Sequence, residues 1–451
     1  MKRSRFHISL QVLLTGLALA LGTLAARAQQ LIFTPFHANG IYALGERAGW
    51  TVRIPQGLVA RAGAYRYEIR KNNSETIQTG VLDLSSGRTT IETTLSEPAM
   101  LYVEVTPSAS LATSQLDSNV ATGQKTGGTS GRSPGVIHLG AAVAPWKLEP
   151  SVPRPADFDA FWDGKLKALS QVPTNPVLTP TPTSKAGVEL YVVQLDSLGS
   201  HVHGYLAKPS RDAKFPALVI FQWAGVYALR PEWATDRAAE GWLAFDVDSH
   251  DMPPSQATGV STNYQAIGNT DRETSYFLNV YLRDTRAVDY IASRPDWDGK
   301  TIVAMGTSMG GQQSMATAGL NPKITAAIVN EPAGADSNGN LHGRKAGYPF
   351  WPSDNPQVMK TALYFDTVNF APRIKAPVLA AMGFVDTVAP PVGIWIAVDQ
   401  IPGPKEVVPM IESDHNNLTP EKQGAFVSRS KEVLENLLHG GKFKPNEALT
   451  R

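Results

Sequence analysis

The chain contains no cysteine. This excludes disulfides, zinc–thiolate sites, iron–sulfur clusters, thiol nucleophiles and a lipid-bearing N-terminal cysteine together. It leaves the compartment open, because an exported protein need not carry a disulfide. A charge excess of either sign is also missing. The 41 basic and 40 acidic residues leave a formal net charge of +1, and no basic stripe stands out. Nucleic acid is therefore not an expected partner. No apolar run beyond the N-terminal segment is long enough to cross a bilayer, and there is no internal repeat. What remains is a chain of 451 residues, 42% of them hydrophobic. That is enough for a sizeable core and, at roughly 150 residues per domain, for two domains.

The N-terminus has the layout of an export signal. Lys2, Arg3 and Arg5 form a positive start, a mostly apolar run covers Val12 to Leu24, and Ala26-Arg27-Ala28 fits a small-x-small cleavage site. The run is short for a membrane span and is interrupted by Thr15 and Thr23. Residues 1–28 are expected to be removed after Ala28, leaving a secreted or periplasmic protein without membrane contact. Their removal takes away four basic residues and no acidic one, so 37 basic groups face 40 acidic ones, a net charge of −3. Such mild acidity suits a neutral substrate better than a polyanion.

From residue 29 to 107 the pattern is one of short alternating runs, such as Tyr65 to Ile69 and Leu101 to Val105, between turns such as Asn39-Gly40, Arg61-Ala62-Gly63 and Ser86-Gly87. It predicts a small all-β sandwich. Residues 108–136 are rich in Ser, Thr and Gly and read as a linker or surface loop. From 137 to 451 continuous apolar runs alternate with amphipathic stretches. Ala217–Phe221, Trp242–Val247, Ile302–Met305, Ala326–Val329, Val378–Met382 and Val407–Ile411 read as strands buried on both faces, with helices over Tyr276–Ser293 and Gln312–Gly319. This predicts an α/β unit, a mostly parallel sheet with helices on both faces. Leu190–Leu195 and His203–Ala207 are candidates for an antiparallel edge.

Gly306-Thr307-Ser308-Met309-Gly310-Gly311 lies between one of these strands and a helix. A G-x-S-x-G turn there lifts a serine hydroxyl above the sheet. A neutral serine needs a base, and in this arrangement the partners follow in the order acid, then histidine. Asp386 stands just past the Val378–Met382 strand, with Asp366 and Asp414 as competitors. Of the two histidines beyond Asp386, His439 sits near the end of the last helix, so His415 is the base by elimination. An oxyanion would be held by the N–H of Met309 and by a second N–H from Trp223 or Ala224, in the loop after Phe221. Trp223 reads equally as core packing.

Weaker signals surround this set. His201 and His203 alternate on one strand and would share a face. No third ligand stands near them, so a surface strand is preferred and no metal or cofactor is expected. Asp248, His250 and Asp251 read as a hydrogen-bonded loop beside the site rather than as a metal cluster. Tyr348 and Trp351 lie in a segment, Glu331 to Asp354, that looks like an insertion over the rim. They could stack on sugar rings or simply pack a lid.

Several stretches together resemble the acetyl xylan esterase and cephalosporin C deacetylase family. They are Arg154 to Trp162, Asp271 to Phe277, Tyr281 to Ala287, Gly306 to Gly311 and Asp386 to Pro391, within a similarity spanning about 137 to 438. The resemblance implies an α/β-hydrolase fold, hydrolysis of acetyl esters on oligo- or polysaccharide, and Ser308, Asp386 and His415 as the triad. The family's ring-shaped hexamer makes a homo-oligomer an expectation. The chain departs from the family in having Met309 where Gln is usual, Asp248-Ser249-His250 in place of Arg-Gly-Gln, Asn416 in place of Glu, and the extra N-terminal domain. Two alternatives stand beside this reading. One is a peptidase or larger-acyl esterase on the same fold, the other a catalytically silent polysaccharide-binding protein.

Overall fold

The computed structural model describes residues 31–56, 64–108 and 135–446. The export signal, the Arg61–Gly63 turn and nearly all of the 108–136 linker lie outside the described residues.

The N-terminal part is β-rich. β1 (Ile32–Pro35), β3 (Arg47–Arg53) and β6 (Arg88–Thr94) form an antiparallel three-stranded sheet. β2 (Ile41–Tyr42), β8 (Ile137–Val143), β7 (Ala99–Pro107), β4 (Tyr65–Lys71) and β5 (Glu75–Val81) form a second sheet in that order. Period-2 alternation turns one face of each sheet inward. Trp50, Val52 and Ile91 of the first meet Ile69, Leu101, Val103 and Leu139 of the second in one core.

β8 corrects the boundary expected at 137. Residues 137–143, expected at the start of the α/β unit, pair antiparallel with β7 and parallel with β2, inside the N-terminal sheet. Hydrophobicity marks a strand as buried. The sheet it joins depends on non-local pairing that local sequence does not carry.

The larger part is built on nine strands. β9 (Val177–Thr181), β10 (Val188–Ser197) and β11 (Ser200–Pro209) make an antiparallel edge. β11 pairs with β13 (Leu243–Val247), and from there the sheet is parallel through β12 (Phe215–Phe221), β14 (Trp297–Thr307), β15 (Ala326–Asn330), β16 (Val378–Gly383) and β17 (Lys405–Met410). Helices cover both faces, as continuous apolar strands require. On one side lie α1 (Phe158–Ser170), α3 (Tyr276–Ser293), α4 (Met309–Leu320), the short α5 (Pro356–Ala362) and α6 (Thr367–Phe370), and α7 (Pro391–Asp399), and on the other α2 (Pro231–Glu240) and α8 (Pro420–Leu438). Among the described residues, no helix is long and apolar enough to cross a membrane.

The two parts share a packed seam. Met100 and Ala142 of the β-rich part belong to the same core as Phe384 and Trp395. The contact is so close at Gly140 that a Cβ there would lie 2.5 Å from the Phe384 Cβ and 2.6 Å from its carbonyl oxygen.

Candidate active site

Ser308 is the single residue between β14 and α4, held at φ 59° and ψ −122°. A non-glycine residue in this region carries local strain of about 1–3 kcal/mol, which the surrounding packing must offset. Gly310 makes the turn possible, because a Cβ there would sit 2.2 Å from the Phe221 carbonyl oxygen. The Ser308 hydroxyl does not cap its helix. It meets His415 Nε2 at 2.7 Å, and His415 Nδ1 meets Asp386 Oδ2 at 2.7 Å. A carboxylate oxygen only accepts, so Nδ1 carries the proton and Nε2 is left to accept from the serine. The other oxygen, Asp386 Oδ1, accepts the N–H groups of Val388 and Ala389 at 2.7 and 2.8 Å, which fixes the carboxylate. Burial disfavours the charged form of His415. The bond and charge of Asp386, with the charges of Glu331 and Asp414, outweigh it and hold the imidazole above its ordinary range.

Glu331 was not anticipated. It follows β15, the strand beside the one that leads to Ser308, at φ 46°. Its Oε1 accepts from Ser413 Oγ at 2.9 Å and Gln423 Nε2 at 3.2 Å, while its buried Oε2 has no partner. Burial and the neighbouring Asp386 charge push its carboxyl up to about 7. The available signal was a charged residue in Asn330-Glu331-Pro332, directly at the end of a fully buried strand.

Asp366 and Asp414 are structural. Asp366 accepts from the N–H groups of Asp336, Ser337 and Val368, and Asp414 from those of Asn416 and Asn417. His439 closes α8 with its Nδ1 against the Glu435 carbonyl.

The N–H groups of Met309 and the next two residues start α4 and lack carbonyls four residues back. The Gln222–Gly225 loop lies beside them, since Gln313 Nε2 donates to the carbonyls of both Gln222 and Met309. Gly225 N–H is already taken by Tyr264 Oη at 3.2 Å, and Trp223 and Ala224 precede it. Trp223 is 44% exposed, stacks on Tyr227 and meets Trp233 at a tilt, so it is not core packing. His250 supports this loop from beneath. Burial lowers it to about 4, so the ring is neutral, with Nε2–H donating to Gly225 O at 3.0 Å and Nδ1 accepting from Tyr276 Oη at 2.8 Å.

The segment over the rim divides. Tyr348 Oη meets Tyr264 Oη at 2.7 Å, and both hydroxyls reach the Met309 sulfur, at 3.1 and 3.3 Å. These rings wall Met309, the residue after Ser308. Trp351 is 6% exposed and packs on Phe277 inside an apolar cluster, so the sugar-stacking expectation for it is corrected. An aromatic residue in a polar insertion reads as a surface ligand, but here the insertion has a core of its own.

The family description "Acetyl xylan esterase" matches residues 146–338 and 349–430. This chain belongs to the acetyl xylan esterase family. It is a carboxylic ester hydrolase acting on carbohydrate esters. An acetyl esterase of Xylanibacter ruminicola, Axe7A, is 30% identical over 421 residues, covering 87% of this chain and 90% of that relative. A solved acetyl xylan esterase from Paenibacillus sp. R4 superposes with a TM-score of 0.57 at 25% identity, over 64% of this esterase and 98% of that chain. Acetyl xylan esterase 1 from Thermoanaerobacterium sp. JW/SL YS485 shares the fold at a TM-score of 0.53 and 21% identity, over 63% and 96%. The solved relatives fit almost whole inside this esterase, with more than a third of its chain left over. The Axe7A match is longer than residues 137–451 alone could supply.

Proposed function

We propose that this esterase removes acetyl groups from acetylated oligo- or polysaccharide through a Ser308–His415–Asp386 triad and an acetyl-enzyme. The observation carrying the reading is the continuous pair of 2.7 Å bonds from Ser308 Oγ to His415 to Asp386. His415 Nε2 takes the serine proton as Oγ attacks the acetyl carbonyl. Asp386 keeps Nδ1 protonated and balances the imidazolium. The N–H of Met309 and that of Trp223 or Ala224 stabilise the developing oxyanion. His415 returns the proton to the departing sugar hydroxyl. Water, deprotonated by His415, then attacks the acetyl-enzyme, releases acetate and restores Ser308. Tyr264 and Tyr348, closed around Met309, favour a small acyl group over a peptide or a long chain.

Ser308→Ala is expected to lower kcat on p-nitrophenyl acetate by about 10⁴-fold or more while the circular dichroism spectrum stays unchanged. Turnover close to wild type would overturn the assignment. Acetate release from acetylated xylan, compared with other acetylated sugars and with longer acyl esters, tests the substrate class. The export signal at residues 1–28 supports secretion or a periplasmic location, which N-terminal sequencing of the mature protein would check at Gln29.

A further inference from the structure

We infer that His201, His203 and Asp251 form a binding site for a divalent, zinc-type transition-metal cation at the antiparallel edge of the catalytic sheet. His201 and His203 alternate on β11 and share a face, as their spacing requires. Asp251, far along the chain, is brought to them by the loop after β13. That loop runs on along β11, with Asp248 N–H donating to the His203 carbonyl at 2.9 Å. The third ligand that the sequence around the histidines lacks is thus supplied by tertiary structure.

The separations carry the inference. Asp251 Oδ1 lies 3.3 Å from His201 Nδ1 and 3.2 Å from His203 Nε2. The oxygen accepts a hydrogen bond from each ring, both longer than the roughly 2.7–2.9 Å usual for a charge-assisted N–H···O bond. Zinc bonds of about 2.0–2.1 Å instead place neighbouring tetrahedral ligands about 3.3–3.4 Å apart. One oxygen facing two ring nitrogens at that spacing forms two edges of such a polyhedron, and the three ligand atoms all fall within 4.8 Å of one another.

The surroundings suit a cation as well. Asp251 Oδ2 accepts the His201 N–H at 3.1 Å, which aims Oδ1 at the rings. Asp196, opposite His201 in the β10–β11 register, places Oδ1 3.9 Å from His201 Nε2, where a carboxylate would orient a metal-bound imidazole. Asp196 is itself held by Asn175 at 2.8 Å. His203 is buried, whereas His201 and Asp251 are partly open, leaving room for water as a fourth ligand. Two imidazoles and one carboxylate suit zinc better than calcium or magnesium, which prefer all-oxygen sets. Among the described residues, a second group of potential ligands, Glu331, Asp386 and His415, lies at the site described above.

The bound cation would tie the β10–β11 hairpin to the loop carrying His250, and through His250 to the Gly225 carbonyl of the loop beside the nucleophile. The role is structural, so it is tested without reliance on catalysis. Tag-free protein treated with chelator and dialysed is titrated with Zn²⁺ by calorimetry, and with Co²⁺ in the visible region. Wild type and Ser308→Ala are expected to bind one equivalent, with the d–d absorption of four-coordinate Co²⁺ and a higher Tm on adding Zn²⁺. His201→Ala, at an exposed position that leaves the fold intact, and Asp251→Asn are each expected to weaken binding at least about tenfold and to abolish the Tm increase. Absence of binding to wild type would overturn the inference. Binding unchanged in both variants, or lost only in His415→Ala with inhibition of the esterase by zinc, would overturn it equally.

Discussion

The carboxylate of Glu331 and the imidazole of His415 come within 4.8 Å of each other, at the ends of two separate strands of one sheet. Glu331 does not bond to the ring. Once ionised, near pH 7 and above, its charge acts across the gap, adding to that of Asp386 and raising the proton affinity of His415. His415 must be neutral to accept the Ser308 proton, so the acid limb of kcat/KM is expected above the ordinary histidine range. Glu331→Gln removes one of the charges that raise it. The limb should move to lower pH by about 0.5–1 unit, measured with p-nitrophenyl acetate across pH 5–9. An unmoved limb would show that Glu331 has no electrostatic hold on the base.

The same substitution has a stability signature of definite sign. Glu331 titrates near 7 in the folded chain against 4.5 for the free side chain, so the folded state binds the extra proton. Its contribution is complete below about 4.5 and is lost as the pH rises through 7. Burying the ionised form then costs up to about 3 kcal/mol. Glu331→Gln keeps the uncharged shape and should raise Tm relative to wild type at pH 8, with a smaller difference at pH 5. Thermal melts at both values would show it.

Asp386→Asn tests the tautomer. The two backbone N–H groups of Val388 and Ala389 select the amide oxygen for their side and turn the amide nitrogen toward His415 Nδ1. An NH₂ group there donates, so the ring must carry its proton on Nε2, where it cannot accept from Ser308. A loss in kcat of about 10³–10⁴-fold is expected, with KM little changed.

Trp223 offers an exposed ring next to the reacting centre, backed by Tyr227 and Trp233. Stacking of a sugar on it would contribute about 0.5–1.5 kcal/mol. Trp223→Ala is expected to raise KM for acetylated xylo-oligosaccharides about three- to tenfold, and to affect p-nitrophenyl acetate less. Equal losses on both substrates would assign Trp223 to loop structure alone.

Gly140→Ala would drive a methyl group into the backbone of Phe384, two residues before Asp386. A loss of about 1–3 kcal/mol in stability is expected. Because Phe384 shares a short loop with the triad acid, kcat should fall too, although Gly140 lies in the β-rich part. Denaturant unfolding and steady-state kinetics on the one variant would separate the two effects.

Much of this was legible in the chain. Buried parallel strands declare themselves through unbroken apolar runs, as in Leu379-Ala380-Ala381-Met382, and α3 matches its amphipathic stretch from Tyr276 to Ser293. Ser308, Asp386 and His415, whose side chains meet in the structure, could be picked out as a group because each follows a strand, in a fixed order. What escaped depends on which distant segments meet. β8 was placed with the α/β unit, because nothing local marks it as a partner of β7. His201 and His203 showed their shared face, while Asp251 reached them only through the path of a loop. Trp351 was visible as an aromatic in a polar insertion, but its orientation is set by Phe277. Glu331 gave a local hint of its own, a carboxylate at the end of a fully buried strand.

The seam at Gly140 makes the β-rich part more than an attachment. An appendage joined only by a tether can be exchanged for another without retuning the enzyme behind it. Here a bare backbone on one side receives a phenylalanine from the other, and that phenylalanine shares a loop with the group that orients the base. The two halves are therefore bound to change in step: any drift in the outer sheet presses on the chemistry.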